Sequence, residues 1–240
     1  MITTTMDGLQ LYKNKDEYIV SIAATMTNKP ALHELENLKN AGEKFFDVKS
    51  ISGKGRYKIV YDVPQQAKSL LDLKGSHEIL KLSLLNEVLK DDLLNQKDSF
   101  IPVIHPENIY CMNIRNIKYL YADNGELYRS KVPALEQYKT LIISMFTKFS
   151  FEKMQDTLER RNQLQKKNDL FLIQIEKTKS VSDMQKLMEQ RLSKMETEYF
   201  ISGYMAEKVA KKKAATKLTV TMVCSIIILI ILILMVVVGK

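Results

Sequence analysis

HPENIYCMNIRNIKYLYADNGE, residues 105–126, reads as loop, strand, turn and strand. Aromatic and β-branched residues fill the two expected strands. Asp123-Asn124-Gly125 could be offered as a metal ligand, but its composition reads as a turn. Just before it, Phe100 to Ile104 is a short strand candidate.

Working outward from this stretch, residues 9–24 (LQLYKNKDEYIVSIAA) read as two strands around a polar turn at Asn14 to Asp16. Pro30 to Phe46 places Leu32, Leu35, Leu38 and Phe45 at helical spacing behind a proline, predicting a helix. Gly53 and Gly55 break the chain before a strand at residues 56–63, which Pro64 closes. Lys74 to Asn95 carries Ile79, Leu82, Leu85, Leu89 and Leu93 on one stripe, and a second helix is expected there. Pro133 to Phe149 reads as a buried helix, and Phe151 to Phe200 as helical with a break near Lys179 and Ser180. Small mixed elements come first and helices later, which is an α+β order.

The chain has 240 residues and 45% apolar content, enough for a real core and contrary to disorder. Thirty-six Lys and Arg against 28 Asp and Glu give a net charge of +8. Much of that excess sits at Lys208, Lys211, Lys212, Lys213 and Lys217, directly before an apolar run, which suits lipid headgroups better than nucleic acid. Leu218 to Val238 is 21 residues without a charge, about 31 Å as a helix, and is expected to span a membrane with the N-terminal side in the cytoplasm. The expected domains are therefore 1–205 in the cytoplasm, a basic segment 206–217 and a transmembrane helix 218–238. Met1 through Val20 holds no continuous apolar run of signal-peptide length, so export by that route is not expected. Cys111 and Cys224 fall in different compartments and imply neither a disulfide nor a zinc site.

His105-Pro106-Glu107-Asn108-Ile109 followed by Ile117-Lys118-Tyr119-Leu120 resembles the catalytic-loop region of protein kinases. Laid on that pattern, the catalytic base falls at Val103, the following lysine at His105 and the metal-binding aspartate at or near Tyr121, while only Asn108 keeps its kinase identity. Phosphoryl transfer needs carboxylates at the first and third of these positions. No glycine-rich loop accompanies the N-terminal hairpin, so neither catalysis nor a cofactor or metal is expected. His33, His77 and His105 lack the spacing of ligands or nucleophiles.

The sequence is similar to the EssB/YukC family of the type VII secretion system of Gram-positive bacteria, through Pro106 to Tyr110, through Tyr138-Lys139-Thr140-Leu141-Ile142-Ile143 with Phe146, Ser150 and Phe151, and through the basic run into the apolar segment. The resemblance implies a kinase-like (pseudokinase) cytoplasmic domain followed by a single transmembrane helix. It implies a homodimeric scaffold in a cell membrane, working with an FtsK/SpoIIIE-type ATPase and other membrane subunits to export WXG100-like proteins. That family carries an extracytoplasmic region after its membrane helix, and its absence here reads as truncation.

One further stripe, Val181, Met184, Met188, Leu192, Met195 and Tyr199, can pack on its own domain or on a second copy as a dimeric stalk. Two other functions compete. A tail-anchored SNARE-like fusion protein needs sustained heptads, yet RRNQLQKKN (160–168) offers only Leu164 as an apolar position. A membrane-tethered active kinase is opposed by Val103 and Tyr121.

Overall fold

The computed structural model describes residues 2–6, 9–14, 17–23, 35–53, 56–96, 100–123, 132–203 and 205. Two units divide the chain, Met1–Leu192 and Ser193–Lys240.

The first unit begins with an antiparallel sheet of β1 (Ile2–Met6), β2 (Leu9–Asn14), β3 (Glu17–Ala23), β4 (Val48–Ser52) and β5 (Arg56–Tyr61), in the order β1-β2-β3-β5-β4. The hairpin expected at 9–24 is β2–β3, with Leu11 opposite Val20. Alternation sets its buried face: Tyr18, Val20 and Ile22 of β3 lie beside Tyr61, Ile59 and Tyr57 of β5, all buried. Gly53, at φ +127°, turns β4 into β5, and a Cβ there would stand 2.1 Å from the Arg56 carbonyl oxygen, so no other residue fits the turn as built.

The helix expected across Pro30 to Phe46 needs correction. Among its described residues, only 35–40 are helical, ending in a 3-10 turn, Asn37–Asn40. Gly42 takes φ +99°, and the chain then runs extended beside Tyr119: the Phe46 N–H donates to Tyr119 O and the Tyr119 N–H to Lys44 O. Phe45 had the right spacing for a helix, but that pairing takes its backbone. Lys44 is held in turn by Asp91, its ammonium 2.7 Å from both carboxylate oxygens.

Beyond the sheet come β6 (Lys68–Ser69), α1 (Glu78–Asp91), β7 (Ile101–Pro102), β8 (Ile109–Asn113), β9 (Asn116–Tyr119) and β10 (Ala122–Asp123). The His77 ring caps α1, accepting the Ile79 N–H, and Asp92 ends it in the left-handed region. Leu82, Leu85 and Leu89 of the expected stripe are buried in the core. The loop-strand-turn-strand reading of 105–126 corresponds to β8, a turn at 114–115 and β9. Asp123 is a strand residue opposite Ile101 instead of a turn residue, and Asn124 and Gly125 lie outside the described residues.

Helices complete the unit: α2 (Ala134–Phe146), α3 (Phe151–Gln155), α4 (Thr157–Lys167), α5 (Leu170–Lys177) and α6, residues 181–203, whose part up to Leu192 belongs here. The single break expected near Lys179 and Ser180 exists, but two more precede it. Asp156 accepts the N–H groups of Leu158 and Glu159 and starts α4. Asn168, left-handed at φ +51°, ends α4, and Asp169 caps α5. Helical periodicity shows continuous faces, whereas these short polar side chains decide where the rod is cut. A stretch divided in this way cannot supply the continuous coil of a fusion protein.

Three lysines from separate segments converge on the carbonyl end of α2. Lys81 Nζ is 3.3 Å from Met145 O, Lys167 Nζ 2.8 Å from Phe146 O, and Lys74 Nζ 2.5 Å from Phe149 O. Lys81 and Lys167 satisfy carbonyls that the helix leaves open, Lys74 reaches the loop just beyond it, and the cations complement the negative end of its dipole.

Among the described residues, no helix is long and apolar enough to cross a membrane. The expected span Leu218–Val238 and the basic residues Lys208, Lys211, Lys212, Lys213 and Lys217 lie outside the described residues.

Candidate functional site

β7 leads into the loop of residues 103–108, and Pro106 begins a tight turn closed by the Asn108 N–H on His105 O at 2.9 Å. That turn points the Asn108 side chain inward, where it is fully buried. Its amide donates to Val103 O at 2.8 Å and to Tyr121 O at 3.0 Å, and its carbonyl accepts the Tyr121 N–H at 2.8 Å. The Leu120 N–H reaches the Asn108 backbone carbonyl at 3.0 Å. One asparagine therefore fastens together the two positions, 103 and 121, at which the kinase pattern would place carboxylates. Val103 and Tyr121 are both buried and neither can bind magnesium or take a proton from a nucleophile.

His105, also buried, stands apart from this staple. Its Nδ1 accepts the Glu107 N–H at 3.2 Å, which leaves the ring proton on Nε2, 3.0 Å from Glu152 Oε1. The Phe151 ring meets the imidazole edge-on at 4.9 Å. The hydrogen bond from His105 is the main cause that holds the Glu152 carboxyl at about 2, below its ordinary value of 4.5. The pair clips the loop to the start of α3. Both ring nitrogens are occupied, so the histidine is oriented for structure and has no free face for proton transfer.

Between the sheet and the loop, aromatic rings pack against one another. Tyr110 of β8 meets Tyr18 of β3 at 5.5 Å and Phe46 at 5.8 Å, both nearly perpendicular. Burial pushes the Tyr110 hydroxyl pKa upward. What remains beside Tyr110 is a cavity of about 110 Å³ lined by Leu11, Lys13, Ser69, Leu71, Asp72 and Glu107. Small-molecule sites run from roughly 300 to 1,000 Å³. In addition, the Asp72 carboxylate is engaged by the Ser69 N–H at 3.0 Å and hydroxyl at 2.9 Å. Neither the volume nor the ligand set suits a magnesium nucleotide.

The stripe residues separate. Met184 and Met188 are fully buried in the first unit and belong to its own core; Val181 and Leu192 are half-buried at its edge. Met195 and Tyr199 lie in the second unit, where Tyr199 is 70% exposed along with Phe200, Ile201 and Met205.

A larger polar arrangement escaped the reading of the sequence. Arg160 is 1% exposed, on the stretch that looked only like a polar interruption. It contacts Glu136 of α2 through Nη2 and Glu176 of α5 through Nε at 2.7 Å, and its Nη1 donates to Thr140 Oγ1 and Met154 O, each at 3.0 Å. Four helices thus meet on one guanidinium, whose planar fork suits several acceptors at once. The available signal was Leu164, four residues on and therefore on the same helix face.

No protein-family model and no curated protein matches the chain. Among solved structures, the cytoplasmic fragment of EssB from Geobacillus thermodenitrificans is similar with a TM-score of 0.65 and 13% identity, over 79% of this chain and 90% of that one. The EssB cytoplasmic fragment from Staphylococcus aureus is similar with a TM-score of 0.58 and 16% identity, over 72% and 98%. The chain thus has a mixed α+β fold like that of the EssB cytoplasmic domain.

Proposed function

We propose that this chain is a non-catalytic scaffold subunit of a type VII secretion machine. The observation that carries the reading is the Asn108 staple: it binds Val103 and Tyr121 to each other where phosphoryl transfer would need two carboxylates and a metal between them. The likeness to EssB cytoplasmic fragments supplies the setting.

In this reading residues 1–205 stand in the cytoplasm, Leu218–Val238 anchors them in the cell membrane, and the five lysines from Lys208 to Lys217 meet anionic headgroups. The chain acts as a homodimer beside an FtsK/SpoIIIE-type ATPase and other membrane subunits, and serves the export of small WXG100-like proteins. Its role is to hold partners in place, with no reaction of its own.

The test is thermal melting of the full chain in detergent with and without ATP and magnesium, with its protein mass measured by light scattering on the same sample. An unchanged melting temperature and a dimeric mass are expected. A magnesium-dependent stabilisation would overturn the reading of Val103 and Tyr121 and reopen the case for an enzyme, because a ligand that binds the folded state must raise its stability.

A further inference from the structure

The charges around Arg160 form a chain that alternates in sign: Lys139, Glu136, Arg160, Glu176, Arg161. Lys139 Nζ is 2.9 Å from Glu136 Oε1, Glu136 contacts Arg160, Arg160 Nε is 2.7 Å from Glu176 Oε2, and Arg161 Nε is 3.1 Å from Glu176 Oε1. The chain starts and ends on a cation, so it holds one more positive than negative charge. Three of its members are nearly out of solvent, with side-chain exposures of 7% for Lys139, 1% for Arg160 and 8% for Glu176. A surplus charge in such a place gains from an added counter-charge far more than a surface lysine does.

A cavity of about 420 Å³ opens beside the cationic ends of this chain. Lys139, Arg161, Glu176 and Lys177 supply the charged part of its lining, Gln165 and Thr178 the neutral polar part, and Leu164 and Ile173 the apolar part. Glu176 is already saturated by the two arginines, so its charge is spent within the chain. The Arg161 side chain is 63% exposed and Lys177 is exposed in the last turn of α5, which leaves room for a ligand to continue past the rim. The volume suits a few side chains and lies at the small end of ligand pockets.

We propose that this cavity between α4 and α5 docks a peptide segment bearing a carboxylate beside an aliphatic side chain. The carboxylate completes the charge chain among Arg161, Lys139 and Lys177, and the aliphatic group covers Leu164 and Ile173. Recognition of this kind combines a charge-assisted hydrogen bond with burial of a small apolar area, and each part is weak alone.

The test uses the full chain in lipid nanodiscs and fluorescence anisotropy of a short labelled peptide whose only acidic and aliphatic residues are an adjacent Glu-Leu pair. Binding is expected to weaken about tenfold or more with Arg161→Ser or with Lys177→Glu, and with a Gln-Leu peptide. Both substituted residues are exposed, and unchanged circular dichroism melts keep loss of fold apart from loss of site. Equal binding of the Glu-Leu and Gln-Leu peptides, or indifference to both substitutions, would overturn the site. Hexanoate binding as tightly as the peptide would overturn the assignment to a peptide and point to a free organic acid. No binding of the Glu-Leu peptide at millimolar concentration would also overturn it.

Discussion

Arg160 and Glu176 are sixteen residues apart in sequence, and their buried side chains meet at 2.7 Å. The contact closes α4 onto α5, while the same guanidinium reaches Glu136 and Thr140 on α2. Burial pushes the Glu136 carboxyl up, but hydrogen bonds from Lys139 and Arg160 outweigh it and hold the group below its ordinary value.

Replacing this arginine with an apolar residue of similar length leaves Glu136 and Glu176 facing each other across an uncharged side chain. Arg160→Met is expected to cost about 3–5 kcal/mol, the usual penalty for breaking a buried pair from one side. For a unit of this size that lowers the melting temperature by at least about 6 °C. Adding Glu136→Gln and Glu176→Gln should recover part of the loss, since the two carboxylates, left with only Lys139 and Arg161 as counter-charges, cause much of it. Urea denaturation of the single and triple variants measures both effects, and equal stability of the two would show that lost packing dominates.

Asn108 has no tolerance for its acid counterpart. In N108D the two N–H donors to Val103 O and Tyr121 O become an oxygen facing two carbonyls, in a fully buried place. We expect a loss of about 3 kcal/mol or more at neutral pH. The new carboxyl would be held protonated by its surroundings, with a folded pKa above its unfolded one. The stability it retains is therefore fully present below the unfolded pKa and is lost as pH rises through the folded pKa. Melts of the wild type and N108D at pH 5 and pH 8 should differ more at pH 8.

The His105–Glu152 clip has the opposite sign. Glu152 titrates near 2 when folded, below its ordinary 4.5, so its contribution is present above 4.5 and is lost as pH falls from there through about 2. The carboxylate side chain is 52% exposed, and solvent screening limits the effect to less than about 1 kcal/mol. Glu152→Gln should flatten the acid limb of the stability curve between pH 4.5 and 2 and leave Tm at pH 7 lower by only a few degrees. An unchanged acid limb in that variant would show that other carboxylates govern it.

Elements whose identity follows from periodicity or from a glycine were legible in the sequence: the β2–β3 hairpin, the β8–β9 hairpin and the Leu82, Leu85 and Leu89 face of α1. What escaped depends on partners distant in sequence. Phe45 keeps helical spacing, yet the strand edge at Tyr119 draws its segment into an extended form. Arg160 looks like a solvated charge until Glu136 and Glu176 are folded against it. Val103 and Tyr121 lack a carboxylate by residue type alone, but that Asn108 binds both depends on the closed turn at Pro106. The packing of Tyr18, Phe46 and Tyr110 on one another could not be read at all, since three separate segments supply the rings.

The methionine stripe offers a last comparison, between two residues of one helix with different fates. Met188 is fully buried in the first unit, whereas Tyr199, eleven residues on, is 70% exposed. Truncating the first removes core packing, and Met188→Ala should cost about 2–5 kcal/mol in urea denaturation. Tyr199→Ser removes little that the chain itself packs and should change stability by less than about 0.5 kcal/mol. If the exposed end of the helix joins a second copy, the same Tyr199→Ser should lower the dimer fraction seen by light scattering while Met188→Ala, at matched folded concentration, leaves it unchanged. A drop in stability with Tyr199→Ser at concentrations where the chain is monomeric would instead place that ring in the chain's own packing.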